Sequence, residues 1–268
     1  MIQMTMPSSR LGLTAQSRQA SLAETINFLS LPLAPSFKLS IIIPVYNEES
    51  TIGQVIERVL GVDLGTIQKE IIVCDDGSSD DSQRVIEYER AAHADIVKVH
   101  TSIINLGKGA AIRFGLKFAS GEVIILQDAD LELDPDEYVE LLAPIVRGEA
   151  DVVFGSRFKR PNPNIPRKTV LANRFLTALT NVLYGGHLTD METGYKVFRR
   201  DALEGIRLRQ VHFDFEAEVT AKFLQAGRRI VEVPVKYNPR TKIAGKKISW
   251  ADGVEAIYTL VKYRWLVK

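Results

Sequence analysis

Five short apolar runs each lead into a polar cluster, and that regularity fixes most of what this chain can fold into. Leu39–Ile43 is stopped by Pro44 and leads into Tyr46-Asn47-Glu48. Ile71–Cys74 ends in Asp75-Asp76-Gly77, and Ile96–Val99 precedes Asn105-Leu106-Gly107-Lys108-Gly109. Val123–Leu126 ends in Gln127-Asp128-Ala129-Asp130, and Val152–Phe154 ends in Gly155-Ser156-Arg157. Runs so short and apolar read as strands buried on both faces. Between them, Ile52, Val55, Ile56, Val59 and Leu60 repeat at helical spacing up to a stop at Gly61. A polar helix is expected from about Asp80 to Ala92, and another from the Asn105 cluster to about Ala119. The alternation predicts an α/β fold, a mostly parallel sheet flanked by helices. Ligands bind such sheets at the carboxyl ends of the strands. All five clusters fall there, so they define one cleft.

The charges nearly cancel, 34 Lys and Arg against 33 Asp and Glu. A nucleic-acid binder normally carries a basic excess, so that class is set aside. The balance is local, however. Residues 121–151 hold ten acidic residues and one basic, residues 152–189 hold six basic and no acidic, and Pro234 to the end holds eight basic and two acidic. Cys74 is the only cysteine, which excludes an intrachain disulfide. The longest stretch free of Asp, Glu, Lys and Arg is Phe175–Thr189, 15 residues, short of the roughly 20 that a membrane span needs. Residues 1–37 are rich in Ser and Gln and lack the basic start and apolar core of a secretory signal. They are expected to be a loosely ordered extension, or the product of a mis-chosen start codon, ahead of a single domain over 38–268.

Asp128-Ala129-Asp130 is the sharpest chemical feature. Two ionised carboxylates at the end of a buried strand suit a hard divalent cation, Mg²⁺ or Mn²⁺, with substrate phosphates completing its shell. The dinucleotide fingerprint is absent after the first strand, and no G-x-x-x-x-G-K-[ST] loop occurs: position 102 is Ser and position 240 is Arg. Neither a nicotinamide enzyme nor a P-loop NTPase is supported.

Ser40–Glu49, Cys74–Asp80, Asn105–Gly109, Asp128–Asp130 and Gly155–Arg157 together resemble the family 2 glycosyltransferases of GT-A fold, in order and in spacing. Asp128-Ala-Asp-Leu-Glu132, Asp190-Met-Glu-Thr-Gly-Tyr-Lys196, Val231-Glu-Val-Pro234 and Arg240–Lys247 are most similar to dolichol-phosphate mannose and glucose synthases and their bacterial polyprenyl-phosphate relatives. The resemblance implies a Rossmann-like catalytic domain without transmembrane helices. It implies that Pro44, Tyr46 and Glu48 contact the nucleotide and Asp76 its base or ribose. Lys108 and Ala129 join the nucleotide-sugar contacts. Asp128 and Asp130 hold metal and diphosphate, with Glu132 assisting, although dolichol mannose synthases usually carry Gln there. Arg157, Arg167, Arg240 and Lys246 grip phosphates, and Asp128, Asp130 and Arg157 carry catalysis. Plain structural roles stand beside these: Pro44 ends a strand, Tyr46 packs in the core, Asp75 caps its turn, and Lys108 sits on a helix surface.

The implied reaction is inverting, metal-dependent transfer of a hexose, glucose or mannose, from a UDP or GDP sugar to polyprenyl (dolichyl or undecaprenyl) phosphate. Metal and Arg/Lys groups would stabilise the diphosphate as it leaves. A hydroxyl acceptor would need a general base, with Asp190 or Glu192 first and Asp214 or Glu216 second. A phosphate acceptor is already largely ionised and needs none. The alternatives are transfer to a saccharide or small-molecule hydroxyl, and a non-catalytic nucleotide-sugar or membrane-binding module. Val170, Leu171, Phe175, Leu179, Val182 and Leu183, flanked by Arg167, Lys168 and Arg174, suit a helix lying in a membrane interface. They suit a core or dimer helix equally. Trp250, Tyr258, Tyr263 and Trp265, with Lys262, Arg264 and Lys268, form a second candidate contact. The expected location is cytoplasmic, peripheral at the inner face of the cell membrane. The sugar, the base, the lipid length and the oligomeric state stay open.

Overall fold

The computed structural model describes residues 37–240 and 250–266. Lys246, the rest of the basic loop 241–249 and residues 1–36 of the extension lie outside the described residues.

Seven strands form one sheet in the order β3-β2-β1-β4-β6-β5-β7. They are β1 (Lys38–Val45), β2 (Gln68–Asp75), β3 (Val97–Thr101), β4 (Val123–Leu126), β5 (Val152–Ser156), β6 (Lys196–Arg199) and β7 (Ile230–Pro234). All pairs are parallel except those of β6, which runs antiparallel to β4 and β5. The helices are α1 (Ile52–Gly61), α2 (Ser82–Ala92), α3 (Lys108–Phe118), α4 (Tyr138–Val146), α5 (Arg167–Tyr184), α6 (Phe215–Gln225) and α7 (Trp250–Trp265). The expected α/β architecture is present, and no described helix is long and apolar enough to cross a membrane.

The central strands are buried on both faces because helices cover both, while the edge strands β3 and β7 are only partly buried. Ile41, Ile43, Ile71, Val73 and Ile125 point into the layer holding α1 and α4. Ile42, Ile72, Ile124, Leu126 and Phe154 point into the layer holding α3, α6 and α7. Alternate residues of one strand face opposite layers, so an uninterrupted apolar run is what this position demands. Toward the amino end of β2, away from the cluster that follows it, Glu70 is buried. It accepts from Lys38 Nζ (2.9 Å), Lys98 Nζ (2.7 Å), Ser40 Oγ (2.7 Å) and the Ser120 amide (2.6 Å).

The amphipathic stripe of α5 divides. Leu179 and Leu183 pack on the core, whereas Leu171, Phe175 and Val182 face solvent at 73, 58 and 81 % exposure. Tyr263 is buried rather than surface-facing, while Tyr258 and Trp265 are exposed. The Trp250 side chain and Lys268 lie outside the described residues.

Candidate active site

The turns after β1 and β2 are stitched to one another. Asn47, in the left-handed region at φ 51°, accepts from the Ser79 amide at 2.8 Å, and its own amide donates to Ser78 Oγ at 2.9 Å. The Glu48 amide donates to Ser82 Oγ at 2.8 Å, and the Glu49 carboxylate accepts from the Asp81 amide at 2.8 Å. Serines and short acidic residues serve here because their oxygens satisfy turn amides that no ladder reaches. Asp75 caps its own turn, accepting from the Ser78 amide at 3.1 Å. Asp76 turns the other way and holds the next loop, accepting from the Leu106 (2.9 Å) and Gly107 (2.6 Å) amides. Burial pushes the Asp76 carboxyl above its ordinary range, and the two amides offset part of that. Gly107 (φ 103°) is required there, because a Cβ would strike the Val211 carbonyl and the His212 ring.

The carboxylate pair follows β4. Beneath it, the Gln127 side chain accepts from Tyr138 Oη (2.8 Å) and Tyr195 Oη (2.9 Å) and donates to the Asp128 carbonyl (3.0 Å). This fixes the backbone from which Asp128 projects. Lys108 Nζ lies 2.7 Å from Asp128 Oδ1 and 3.1 Å from Glu216 Oε1. Glu216 is paired in turn with Lys196, whose fully buried ammonium also donates to the carbonyls of Met191 (3.0 Å) and Thr193 (2.6 Å). The chain Lys196–Glu216–Lys108–Asp128 therefore alternates in charge, which is how buried ions are tolerated. Burial would lower the Lys108 pKa, but Asp128 and Glu216 outweigh it and hold the ammonium above the usual lysine range. The other side of Asp128 packs on Gly194, where a Cβ would collide with Oδ2.

Asp130 precedes Leu131, a second non-glycine residue at positive φ (60°), so the chain turns sharply there. Arg240 Nη2 meets Asp130 Oδ2 at 3.0 Å and Glu48 Oε1 at 3.0 Å, while Nη1 meets Glu48 Oε2 at 2.8 Å. Glu132 is committed elsewhere. It accepts from Tyr237 Oη at 2.6 Å and from the Arg240 amide at 2.7 Å, tying the segment after β7 to the turn after β4. Burial raises the Asp130 carboxyl to about 7, the charges of Asp128 and Glu132 add to the rise, and Arg240 opposes it.

On the far half of the sheet edge, Arg157 follows β5 and is 8 % exposed. Its Nε and Nη2 each lie 2.7 Å from an oxygen of Asp190, and its amide donates to the same carboxylate at 3.0 Å. The guanidinium stands 5.2 Å from the Tyr237 ring centre, within cation–π range. Asp214 accepts from Gln210 and from Thr259 Oγ1 at 3.1 Å.

These groups line one cleft of about 740 Å³. Pro44, Tyr46, Glu48, Asp76, Lys108, Asp128, Ala129, Asp130, Glu132, Arg157 and Arg240 all contribute to its wall. Arg167 does not. It is exposed at the first residue of α5, and the neighbouring Lys168 lines the cleft instead. Gly194, Lys168, His212 and Tyr237 also line it, and the sequence pattern missed all four. Tyr237 had a usable signal, since it follows strand β7 as the other clusters follow theirs. Gly194 had none, because only its contact with Asp128 gives it meaning.

Whether a divalent cation fits here turns on the carboxylates. The donors are hard oxygens, and the carboxylates of Asp128, Asp130 and Glu132 all line this part of the cleft. Asp128 and Asp130, paired here with Lys108 and Arg240, match the one or two carboxylates Mg²⁺ takes beside substrate phosphates. No cluster of three such ligands occurs among the described residues. The pair fits a cation that arrives with a diphosphate.

The carboxyl edge of this mostly parallel sheet thus carries a carboxylate pair flanked by Lys108 and Arg240. The glycosyl transferase family 2 model matches residues 40–207, and the chain belongs to that family. It is 32 % identical over 236 residues to an undecaprenyl-phosphate 4-deoxy-4-formamido-L-arabinose transferase of Klebsiella pneumoniae, covering 86 % of this chain and 68 % of that one. It is 29 % identical over 217 residues to glycosyltransferase AglD of Haloferax volcanii, covering 77 % of this chain but only 34 % of AglD. The glucosyl-3-phosphoglycerate synthase of Mycobacterium tuberculosis, solved with Mn²⁺, uridine diphosphate and phosphoglyceric acid, shares the fold. Its TM-score is 0.67 at 22 % identity, covering 91 % of this chain and 82 % of that one.

Proposed function

We propose that this protein transfers a hexose from a nucleoside diphosphate sugar to polyprenyl phosphate, with inversion and with the help of Mg²⁺ or Mn²⁺. The observation that carries the reading is the state of the candidate bases. Asp190 is locked on Arg157, Asp214 on Gln210 and Thr259, and Glu216 between Lys108 and Lys196. Three of the four carboxylates that could deprotonate a hydroxyl are thus engaged. A phosphate acceptor needs no base, since its oxygens are largely ionised near neutrality. The relative named for undecaprenyl phosphate supports the same acceptor class.

In this reading the β1–β2 half of the cleft holds the nucleotide through Pro44, Tyr46, Glu48 and Asp76. Asp128 and Asp130 would hold the cation, which supplies charge stabilisation to the departing diphosphate. Arg240, with Lys246 beyond the described residues, adds positive charge to the same oxygens. Arg157 and Lys168 make the opposite wall attractive to an anionic acceptor. An acceptor oxygen attacks the anomeric carbon, and the bond to the diphosphate breaks with its electron pair leaving on the nucleotide. The solvent-facing stripe of α5 and the exposed Tyr258 and Trp265 of α7 would seat the enzyme at the inner face of the cell membrane, where the lipid lies.

One observation favours a second reading. Glu192 lines the cleft with an uncommitted oxygen, as a base for a saccharide or small-molecule hydroxyl would. A panel of UDP and GDP hexoses with polyprenyl phosphate and Mn²⁺, followed by product analysis, tests the choice. A glycosyl phospholipid product is expected. No nucleoside diphosphate release from any donor with that acceptor present would sink the leading reading.

A further inference from the structure

Glu192 lines the cleft and forms no ion pair among the described residues. It sits in the loop entering β6, between Asp190 and Gly194, on the half of the sheet edge away from the nucleotide side. The ionic groups around it come from every neighbouring element. Arg157 after β5 is gripped by Asp190, Lys196 of β6 is paired with Glu216 of α6, and Lys108 of α3 bridges Glu216 and Asp128. Lys168 of α5 and His212 line the cleft as well. Each nearby buried cation already has its own carboxylate. Glu192 Oε1 is sealed from solvent and has no hydrogen-bond partner among the described residues.

A buried oxygen without a partner is costly, so a carboxyl group that lines a binding cleft gains by turning toward a ligand atom there. Two chemistries satisfy a carboxyl there. An ionised one accepts from a hydroxyl, and a protonated one donates to an anion. The surroundings select the second, because burial and the neighbouring Glu216 and Asp190 charges push Glu192 up to about 7, against the pull of Lys196 and Arg157. We propose that Glu192 is a specificity residue that binds the acceptor phosphate as a hydrogen-bond donor, through its carboxyl proton. This deepens the polyprenyl-phosphate reading and rests on it. The proton stays on Glu192 throughout, so no base is introduced into the reaction. Ionised, the same side chain repels the acceptor, which makes Glu192 a filter for anions at neutral and lower pH.

The test compares kcat/KM for polyprenyl phosphate across pH in the wild-type protein, Glu192→Gln and Glu192→Ala. Binding of the nucleoside diphosphate with Mn²⁺, measured by calorimetry, reports the integrity of the fold. The wild type is expected to lose acceptor efficiency as pH rises through about 7, approaching ~10-fold per pH unit. Glu192→Gln mimics the protonated acid, so it keeps transfer at neutral pH and lacks that alkaline limb. Glu192→Ala lowers acceptor kcat/KM by about 10- to 100-fold at neutral pH with nucleotide binding intact. The proposal is overturned if Glu192→Gln retains the alkaline limb, or if it binds nucleotide normally yet abolishes transfer, as loss of a base would. A wild-type protein that glycosylates hydroxyls and not polyprenyl phosphate would defeat the acceptor reading itself, and the proposal with it.

Discussion

Arg157 grips Asp190 through two side-chain nitrogens, each 2.7 Å from a carboxylate oxygen, with Asp190 fully buried. A pair this enclosed is a structural clamp between the turn after β5 and the loop entering β6. Removing one partner leaves the other charge buried and unmatched. Asp190→Asn is therefore expected to destabilise the fold by about 3–5 kcal/mol. Urea denaturation of both proteins checks this. A variant of unchanged stability that loses only turnover would show Asp190 acting in the chemistry instead.

Gly194 gives Asp128 its room. Gly194→Ala places a methyl group against Asp128 Oδ2, so the carboxylate or the loop must shift. The expected outcome is a folded protein with about 100-fold lower kcat/KM for the donor, the cost of displacing a group at the reacting centre by about 1 Å. Circular dichroism and donor kinetics together report it. Wild-type kinetics in the variant would mean that the Asp128 position does not matter.

Much of this was legible in the sequence, and for a stated reason. Strands buried on both faces must be continuous apolar runs, so β1, β2, β4 and β5 announce themselves, and the polar residues after them mark the cleft edge. β3, an edge strand, mixes in Lys98 and His100, and β6 and β7 break that rule as well. β6 is four residues bounded by Lys196 and Arg199, and its buried lysine reads as surface until Glu216 supplies a partner. β7 is a half-exposed edge strand, Ile-Val-Glu-Val-Pro, that looks like a loop. The ties between distant turns were invisible for a different cause. The grip of Arg240 on Glu48 joins residues 192 apart in sequence, and no local pattern encodes it. The same holds for Glu132, whose carboxylate anchors Tyr237 and the Arg240 amide.

Asp130→Ala removes one of the two carboxylates suited to a cation and releases Arg240 from one of its carboxylate partners. Binding of a nucleoside diphosphate should lose its dependence on Mn²⁺. Calorimetry with and without the metal reads this directly, and an undiminished metal effect would remove Asp130 from the site.

Glu70 predicts how stability responds to acid. Burial alone would raise its carboxyl, but the Lys98, Ser120, Ser40 and Lys38 hydrogen bonds outweigh it and hold the group well below the usual carboxylate range. A carboxyl depressed in the folded state contributes stability above its unfolded value of about 4.3, and loses it as pH falls toward the folded value. Stability should therefore decline on acidification below about pH 5. Glu70→Gln should cost about 1–3 kcal/mol at neutral pH and flatten that decline. Parallel acid-limb slopes in the two proteins would assign the effect elsewhere.

The exposed stripe of α5 separates a lipid-facing helix from a dimer helix. Leu171, Phe175 and Val182 leave the core to Leu176, Thr177 and Thr180, and none of the three lines the cleft. They can be changed without touching the donor site. Tyr258 and Trp265 are exposed on α7, which packs against α5 through the bond from Tyr184 Oη to the Leu260 carbonyl, 2.6 Å. Apolar side chains bordered by Arg167, Lys168 and Arg174 suit anionic headgroups, with each basic residue contributing about 1 kcal/mol near such a surface. Phe175→Glu with Val182→Glu should abolish flotation with vesicles containing anionic lipid and leave donor binding unchanged. The affinity of the parent protein should fall with added salt, because headgroup attraction is screened. If the double variant floats as before but changes from dimer to monomer in sedimentation, the stripe is an interface between two copies of the chain and not a membrane surface.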